Sequence, residues 1–305
     1  MNQTAGVLIA IVSSCLGGSA AAVTRYLAAG TDPITLAVLR WAIGILVVLP
    51  VTLVTRTKWP ARRDWPAVML LGLAFFGLFF VLYNIALGYT TAARATLALS
   101  TLPLQTMLVG AILGIEPLTL RKSLGVAIAM LGVFAALVTG LSAAPPGAWR
   151  GEAIMIGAVL CMAFYNVWSR RFIVRASAMG FLCLGMGTGA TALVVVGLVS
   201  GKLAVLASFG PAQWIAGIYL GIGGGAFAFI LWVMALQRAS PTLVANTMTV
   251  NPIAAALLAT QLVAEPITVN LVIGLVAVFA GIWLATTEGP LLPGAALQPK
   301  SWERP

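Results

Sequence analysis

The sequence predicts an all-α integral membrane protein, with ten transmembrane helices arranged as two inverted five-helix repeats. Three observations carry this. The 305 residues are 61% hydrophobic and 8% charged, whereas a soluble domain has about 45–50% apolar and 25% charged residues. Ten apolar segments reach the length that crosses a bilayer, which takes about 20 residues. The second half of the chain repeats features of the first at a constant offset. Soluble, collagen-like and disordered classes are thereby excluded.

The spans fall near residues 5–27, 33–55, 66–88, 93–115, 120–140, 151–173, 178–199, 214–236, 241–263 and 268–287. The first lacks a basic region before it, so no cleaved signal peptide is expected. The second opens on Pro33 and carries Arg40, the only cation clearly within a span. The third holds Tyr83 and Asn84 at depth. The fourth is interrupted by Pro103, with Ser100, Thr101 and Gln105 around it. The fifth carries Gly125 and Gly132. The sixth holds Tyr165, Asn166 and Trp168, and the seventh is almost wholly apolar. The eighth contains the run Gly221–Gly225 and then Trp232. The ninth is interrupted by Pro252, with Asn246, Thr249 and Asn251 nearby, and the tenth carries Gly274 and Gly281. The tail, 288–305, has four prolines and is expected to be disordered.

Charge placement sets the expected orientation. With the N-terminus inside, the cytoplasmic loops and tail hold 12 Lys/Arg, the outer loops hold 4, and Arg40 completes the 17. That bias follows the positive-inside rule and places both termini in the cytoplasm. The net charge of +10 is thus a topology signal, and no nucleic-acid partner is expected. The chain has no histidine, which removes imidazole chemistry. Cys15, Cys161 and Cys183 are far apart in apolar stretches, so neither a disulfide nor a metal site is expected.

The repeat has an offset of 149 residues. It pairs Trp65 with Trp214, Gly72 with Gly221, Pro103 with Pro252, Glu116-Pro117 with Glu265-Pro266, and Thr119 with Thr268. From Trp65 to Leu137 it gives 17 identities in 73 positions without a gap. Five spans is an odd number, so the second half enters the membrane from the opposite side. Inverted repeats of this kind build secondary transporters, with the substrate site near the midplane. Residues 1–145 form the first expected unit and 146–287 the second.

Pro103 with Glu116-Pro117-Leu118-Thr119 and Gly125/Gly132, matched by Pro252 with Glu265-Pro266-Ile267-Thr268 and Gly274/Gly281, resembles the EamA branch of the drug/metabolite transporter superfamily. The segment Pro33-Ile-Thr-Leu-Ala-Val-Leu-Arg40 is similar to that family's second span. The resemblance implies ten spans in two repeats and export of small metabolites such as amino acids. Its aromatic amino-acid exporter branch is the one this chain leans toward.

A proline inside a span frees backbone groups that must face protein or a cavity. Spans 4 and 9 are therefore expected to line the path. The expected substrate residues are Tyr83, Asn84, Thr101, Gln105, Tyr165, Asn166, Trp168, Trp232, Asn246 and Asn251. The expected bends lie at Pro103, Pro252, Gly221 and Gly225, although glycines of this kind also serve close helix packing. Arg40 is expected to be a structural charge, meeting helix-end carbonyls or an acid such as Asp32 or Glu265. Of the other tryptophans, Trp41, Trp59, Trp65, Trp149, Trp214 and Trp283 mostly suit membrane interfaces.

All seven acids fall at helix ends, in loops or in the tail, so a buried carboxylate proton relay is not expected. The missing midplane cation cluster argues against sugar phosphates. The expected protein is thus no enzyme and needs no cofactor. It is an alternating-access carrier in a bacterial inner membrane, exporting neutral or zwitterionic metabolites, with a multidrug exporter or a lipid flippase as alternatives. Its partners are a small substrate and the bilayer, with no obligate protein partner, as a monomer or homodimer.

Overall fold

A computed structural model describes residues 3–115, 120–139, 144–264, 267 and 269–286. The described residues are helical, with no strand among them. Eight helices are long and apolar enough to cross a membrane. In chain order the helices are α1 (Gln3–Ala28), α2 (Pro33–Val54), α3 (Arg62–Tyr89), α4 (Ala92–Ile112), α5 (Leu120–Thr139), α6 (Ala148–Arg175), α7 (Ala178–Val199), α8 (Pro211–Arg238), α9 (Pro241–Val263) and α10 (Val269–Thr286). The eight are all of these except α5 and α10. The ends agree closely with the apolar segments of the sequence; the largest departure is α3, which starts at Arg62 instead of residue 66. The Glu-Pro-x-Thr stretches at 116–119 and 265–268 lie outside the described residues apart from Ile267, as does the tail.

Side-chain caps start the helices where short polar residues precede the apolar runs. Asp32 Oδ1 accepts from the backbone N–H of Ile34 at 3.0 Å and of Thr35 at 3.3 Å, and Pro33 takes the first helical position. Ser177 caps α7 and Ser240 caps α9, the latter followed by Pro241. Oxygen acceptors at these sites satisfy N–H groups that lack an intrahelical partner.

Inside the bundle, small residues let helices meet. Gly72 of α3 lies against the backbone of Gly185 in α7, where a Cβ would collide. Gly18 of α1 sits on Asn251 in the same way. α5 and α10 pack chiefly on each other, crossing at Gly132 and Ala277. The outer surface is apolar: Leu46, Val54, Ile112, Val199 and Ile215 are all largely exposed. A monomer in water rarely shows so much contiguous apolar surface; a bilayer solvates it.

Four of the helices are irregular. α3 passes through a π-helical turn at Leu73–Phe79, and α8 through another at Ile222–Phe227. α4 breaks at Ser100 and Thr101 before Pro103, and α9 tightens to a 3-10 turn at Thr247–Val250 before Pro252. The two π turns begin 149 residues apart, and Ser100 and Thr101 correspond at that offset to Thr249 and Val250. The Gly221–Gly225 run is therefore part of a continuous helix. Its glycines admit close neighbours: a Cβ at Gly221 would meet Ile43, and one at Gly224 would meet Ala20.

One expectation is corrected in the core. Trp41 does not lie at an interface. It is fully buried and packs edge-on against Phe76 at 4.8 Å, Phe80 at 4.5 Å and Phe229 at 5.2 Å. Phe75, stacked on Tyr165 at 4.3 Å, continues the cluster. Edge-to-face geometry gains aromatic contact energy beyond burial alone. Trp59, Trp65, Trp149, Trp214 and Trp283 are all partly exposed near helix ends.

Candidate functional site

The four irregular helices converge, with α1, α2 and α6, on one cavity. Its walls come from the irregular places themselves. Phe79 and Phe80 stand at the exit of the α3 π turn, and Ala228 and Phe229 at the exit of the α8 turn. Leu99 precedes the break in α4, Met248 lies within the 3-10 turn of α9 and Asn251 follows it. Tyr83 and Trp232 follow one turn beyond the π segments. A π turn or proline break rotates the helix face it interrupts, and here that aims aromatic side chains inward.

The lining has an order that the chain offset explains. Phe80 answers Phe229, Tyr83 answers Trp232, and Leu99 answers Met248, each pair 149 residues apart. Phe79 with Ala228 and Ser13 with Met162 share that offset.

Three of the expected substrate residues line this cavity: Tyr83, Trp232 and Asn251. Asn166 supports it from behind, its Oδ1 accepting from Trp232 Nε1 at 3.0 Å and so holding the indole in place. Tyr165 is fully buried in the aromatic cluster next to it, and its hydroxyl has no hydrogen-bond partner. The others stand elsewhere. Asn84 Nδ2 donates to the Pro33 carbonyl at 2.9 Å, tying α3 to the start of α2. Gln105 Nε2 donates to the Ile156 carbonyl of α6 at 2.8 Å and to Thr101 Oγ1 at 3.4 Å. Asn246 faces a separate groove between α1 and α9, lined also by Gln3 and Thr247. Trp168 is 38% exposed on the outer face, where Arg171 covers its ring at 5.1 Å. Asn166 and Trp168 are two residues apart on a helix of 3.6 residues per turn, so they cannot both face inward.

Pro103 and Pro252 each stand at the second position of a restarted helix, just past the breaks. Gly221 and Gly225 flank the start and centre of the α8 π turn. Arg40 is only 3% exposed and lines the same cavity. Its Nη2 donates to the Gly224 carbonyl at 2.6 Å, within the π turn of α8. Asp32, one expected partner, is held at the α2 start and lies 3.6 Å from Lys202; Glu265 lies outside the described residues. Sequence reading did not single out Ser13, Gly17, Phe79 or Met162. The signal for α1 was present in Ser13-Ser14 and Gly17-Gly18, small and polar residues at the middle of a span: Ser13 Oγ donates to the Ala228 carbonyl at 2.7 Å, and Gly17 leaves room for the Asn251 amide.

A sequence profile of the EamA-like transporter family matches residues 4–138 and again residues 149–287. The chain belongs to the EamA-like transporter family. It is a multi-pass membrane protein of a transporter family, and its relatives are named accordingly. The uncharacterized transporter YyaM of Bacillus subtilis is 23% identical over 277 residues, covering 90% of each chain. The uncharacterized inner membrane transporter YedA of Escherichia coli (strain K12) is 26% identical over 259 residues, covering 82% of this chain and 80% of that one. A probable terminal-alkyne amino-acid exporter of Streptantibioticus cattleyicolor is 25% identical over 182 residues, 59% of each chain. A solved crystal structure superposes with a TM-score of 0.71 at 21% identity, covering 93% of this chain and 96% of that one, a likeness of fold. The family and these names point to transport instead of catalysis.

Proposed function

We propose that this EamA-family protein is a secondary transporter that exports small neutral or zwitterionic metabolites, amino acids including aromatic ones, across a bacterial inner membrane. In this reading ten spans form two inverted five-helix halves, 1–145 and 146–287, with both termini cytoplasmic. The observation that carries it is the central cavity, whose aromatic walls pair at a constant chain offset and four of whose helices are irregular where they meet it. The twice-matching profile and the amino-acid exporter among the relatives support the same reading.

The cavity holds about 30 Å³, whereas sites for small molecules measure about 300–1,000 Å³. Substrate entry therefore requires the walls to part, on one side of the membrane at a time. The two π turns and the breaks before Pro103 and Pro252 supply the bending points, because irregular backbone at depth is tolerated where it lines a cavity. Among the described residues no carboxylate lines the cavity, so the cycle runs as facilitated transport or exchange without a carboxylate proton relay.

Counterflow in proteoliposomes tests this. Phenylalanine loaded inside should accelerate entry of labelled phenylalanine at least tenfold over empty vesicles, and N251A and W232A should abolish that acceleration while the purified proteins stay monodisperse. Flux of a lipophilic cation but of no amino acid would replace the reading with multidrug export. Uphill flux driven by a pH gradient alone, and lost with one carboxylate, would contradict the exchange mechanism.

A further inference from the structure

The apolar walls of the cavity are paired across the chain, but its strongest polar groups are not. The α2 and α7 helices start and end 145 residues apart, so Arg40 corresponds to Gly185, and at the 149-residue offset Asn251 corresponds to Leu102. The shell is thus even-handed and the polarity is one-sided, which fixes how an asymmetric ligand must lie.

Arg40 has an unusual setting for a cation. Its guanidinium carbon lies over the rings of Phe80 at 4.7 Å, Trp41 at 5.3 Å and Tyr83 at 6.0 Å. Ring faces attract a cation, but they accept none of its in-plane N–H bonds. Nη2 serves the Gly224 carbonyl and the Tyr83 hydroxyl interacts with the guanidinium, while neither Nε nor Nη1 has a hydrogen bond at normal distance. Nη2 carries two hydrogens, so one two-hydrogen edge of the fork stays open whichever of them Gly224 takes. The described carboxylates nearest the bundle ends are occupied elsewhere: Asp32 with the α2 start and Lys202, and Glu152 with Arg94 at 2.7 Å. A buried cation without an acid partner is costly. A carboxylate matches the open edge in shape and charge.

We infer that Arg40 is the docking point for the carboxylate of the transported substrate, with Asn251 receiving its ammonium group. The Asn251 amide reaches only Met248 Sδ, at 3.0 Å, and its Oδ1 is buried without a partner in the same cavity. Phe80, Tyr83 and Trp232 then surround the apolar side chain. This deepens the export reading and rests on it. It gives Arg40 a role in ligand recognition that a structural charge would not have, and it makes a free α-carboxylate the feature that separates substrates from amines.

The test measures binding to the detergent-solubilised full-length protein by thermal stabilisation. Four probes are used: phenylalanine, 3-phenylpropionate, phenylalaninamide and phenylethylamine. The two carboxylates should bind at least about tenfold tighter than the two amines, in line with the strength of charge-assisted pairs. R40Q should remove that preference without weakening the amines, and R40K should restore part of it. If R40Q does not fold, R40K and the wild-type preference decide. Equal binding of acid and amide by the wild type, binding of no probe, or unchanged acid binding in R40K and R40Q, overturns the inference. Should phenylalanine counterflow persist in that case, export stands and the Arg40 assignment alone falls. Carboxylate preference that depends on Arg40, with no flux of any amino acid, supports the Arg40 site and removes the export reading instead.

Discussion

At the residue scale, Glu152 is the clearest case of a charge whose role is packing. It accepts from Arg94 Nε at 2.7 Å and from Thr90 Oγ1 at 3.4 Å, with both members of the ion pair mostly buried. Removing one partner of a buried pair costs about 3 kcal/mol or more, whereas replacing both with apolar groups is often neutral. E152A should therefore lower the free energy of unfolding in detergent by that amount, seen as a lower midpoint, and R94M/E152M should recover most of it. A midpoint unchanged in E152A would show the pair to be dispensable. The polar residues of the sequence divide in the same way. Tyr83, Trp232 and Asn251 line the cavity, while Asn84 and Gln105 join helices. Both groups occupy polar positions inside apolar spans, so their sequence context is the same. Only the direction of each side chain separates a cavity wall from a helix tie.

At the scale of the element, irregular helices build the site. The prolines were legible in the sequence, because Pro removes a donor and must break the ladder. The α8 π turn falls on the glycine run where a bend was expected, but the α3 turn was not legible: Leu73–Phe79 is an unbroken apolar run with one glycine, and nothing in its composition marks a turn of different pitch. Glycines in these helices also differ in what they do. A Cβ at Gly72 would strike the Gly185 backbone, whereas one at Gly77 would meet nothing within 4 Å. Overpacking of a tight crossing costs about 1–3 kcal/mol, while Gly to Ala in an open helix position gains up to about 1 kcal/mol. G72A should thus destabilise the protein and G77A should not. Chemical denaturation followed by tryptophan fluorescence compares them directly, and equal effects would refute the α3–α7 crossing.

At the scale of the whole molecule, the expected orientation is testable without any substrate. In a background lacking Cys15, Cys161 and Cys183, single cysteines at Arg62 and Arg238 should react only with reagents that enter the cytoplasm. A cysteine at Lys202 should react with impermeant reagents added outside. The reverse pattern would overturn the expected topology. The sequence alone determined the class, the helix positions and the charge asymmetry between loops. These follow from local quantities: the length of an apolar run, a cap, and a count of cations. The 149-residue offset was legible for the same reason, since glycine and proline leave marks at single positions. Which side of each helix faces its neighbours was decided only by the tertiary structure. A membrane span is apolar toward lipid and apolar toward the core, so hydrophobic periodicity does not tell the two sides apart. That is why Trp41 and Arg40 are found at the centre of the bundle and not at its margin, and Trp168 on the outer face and not in the cavity.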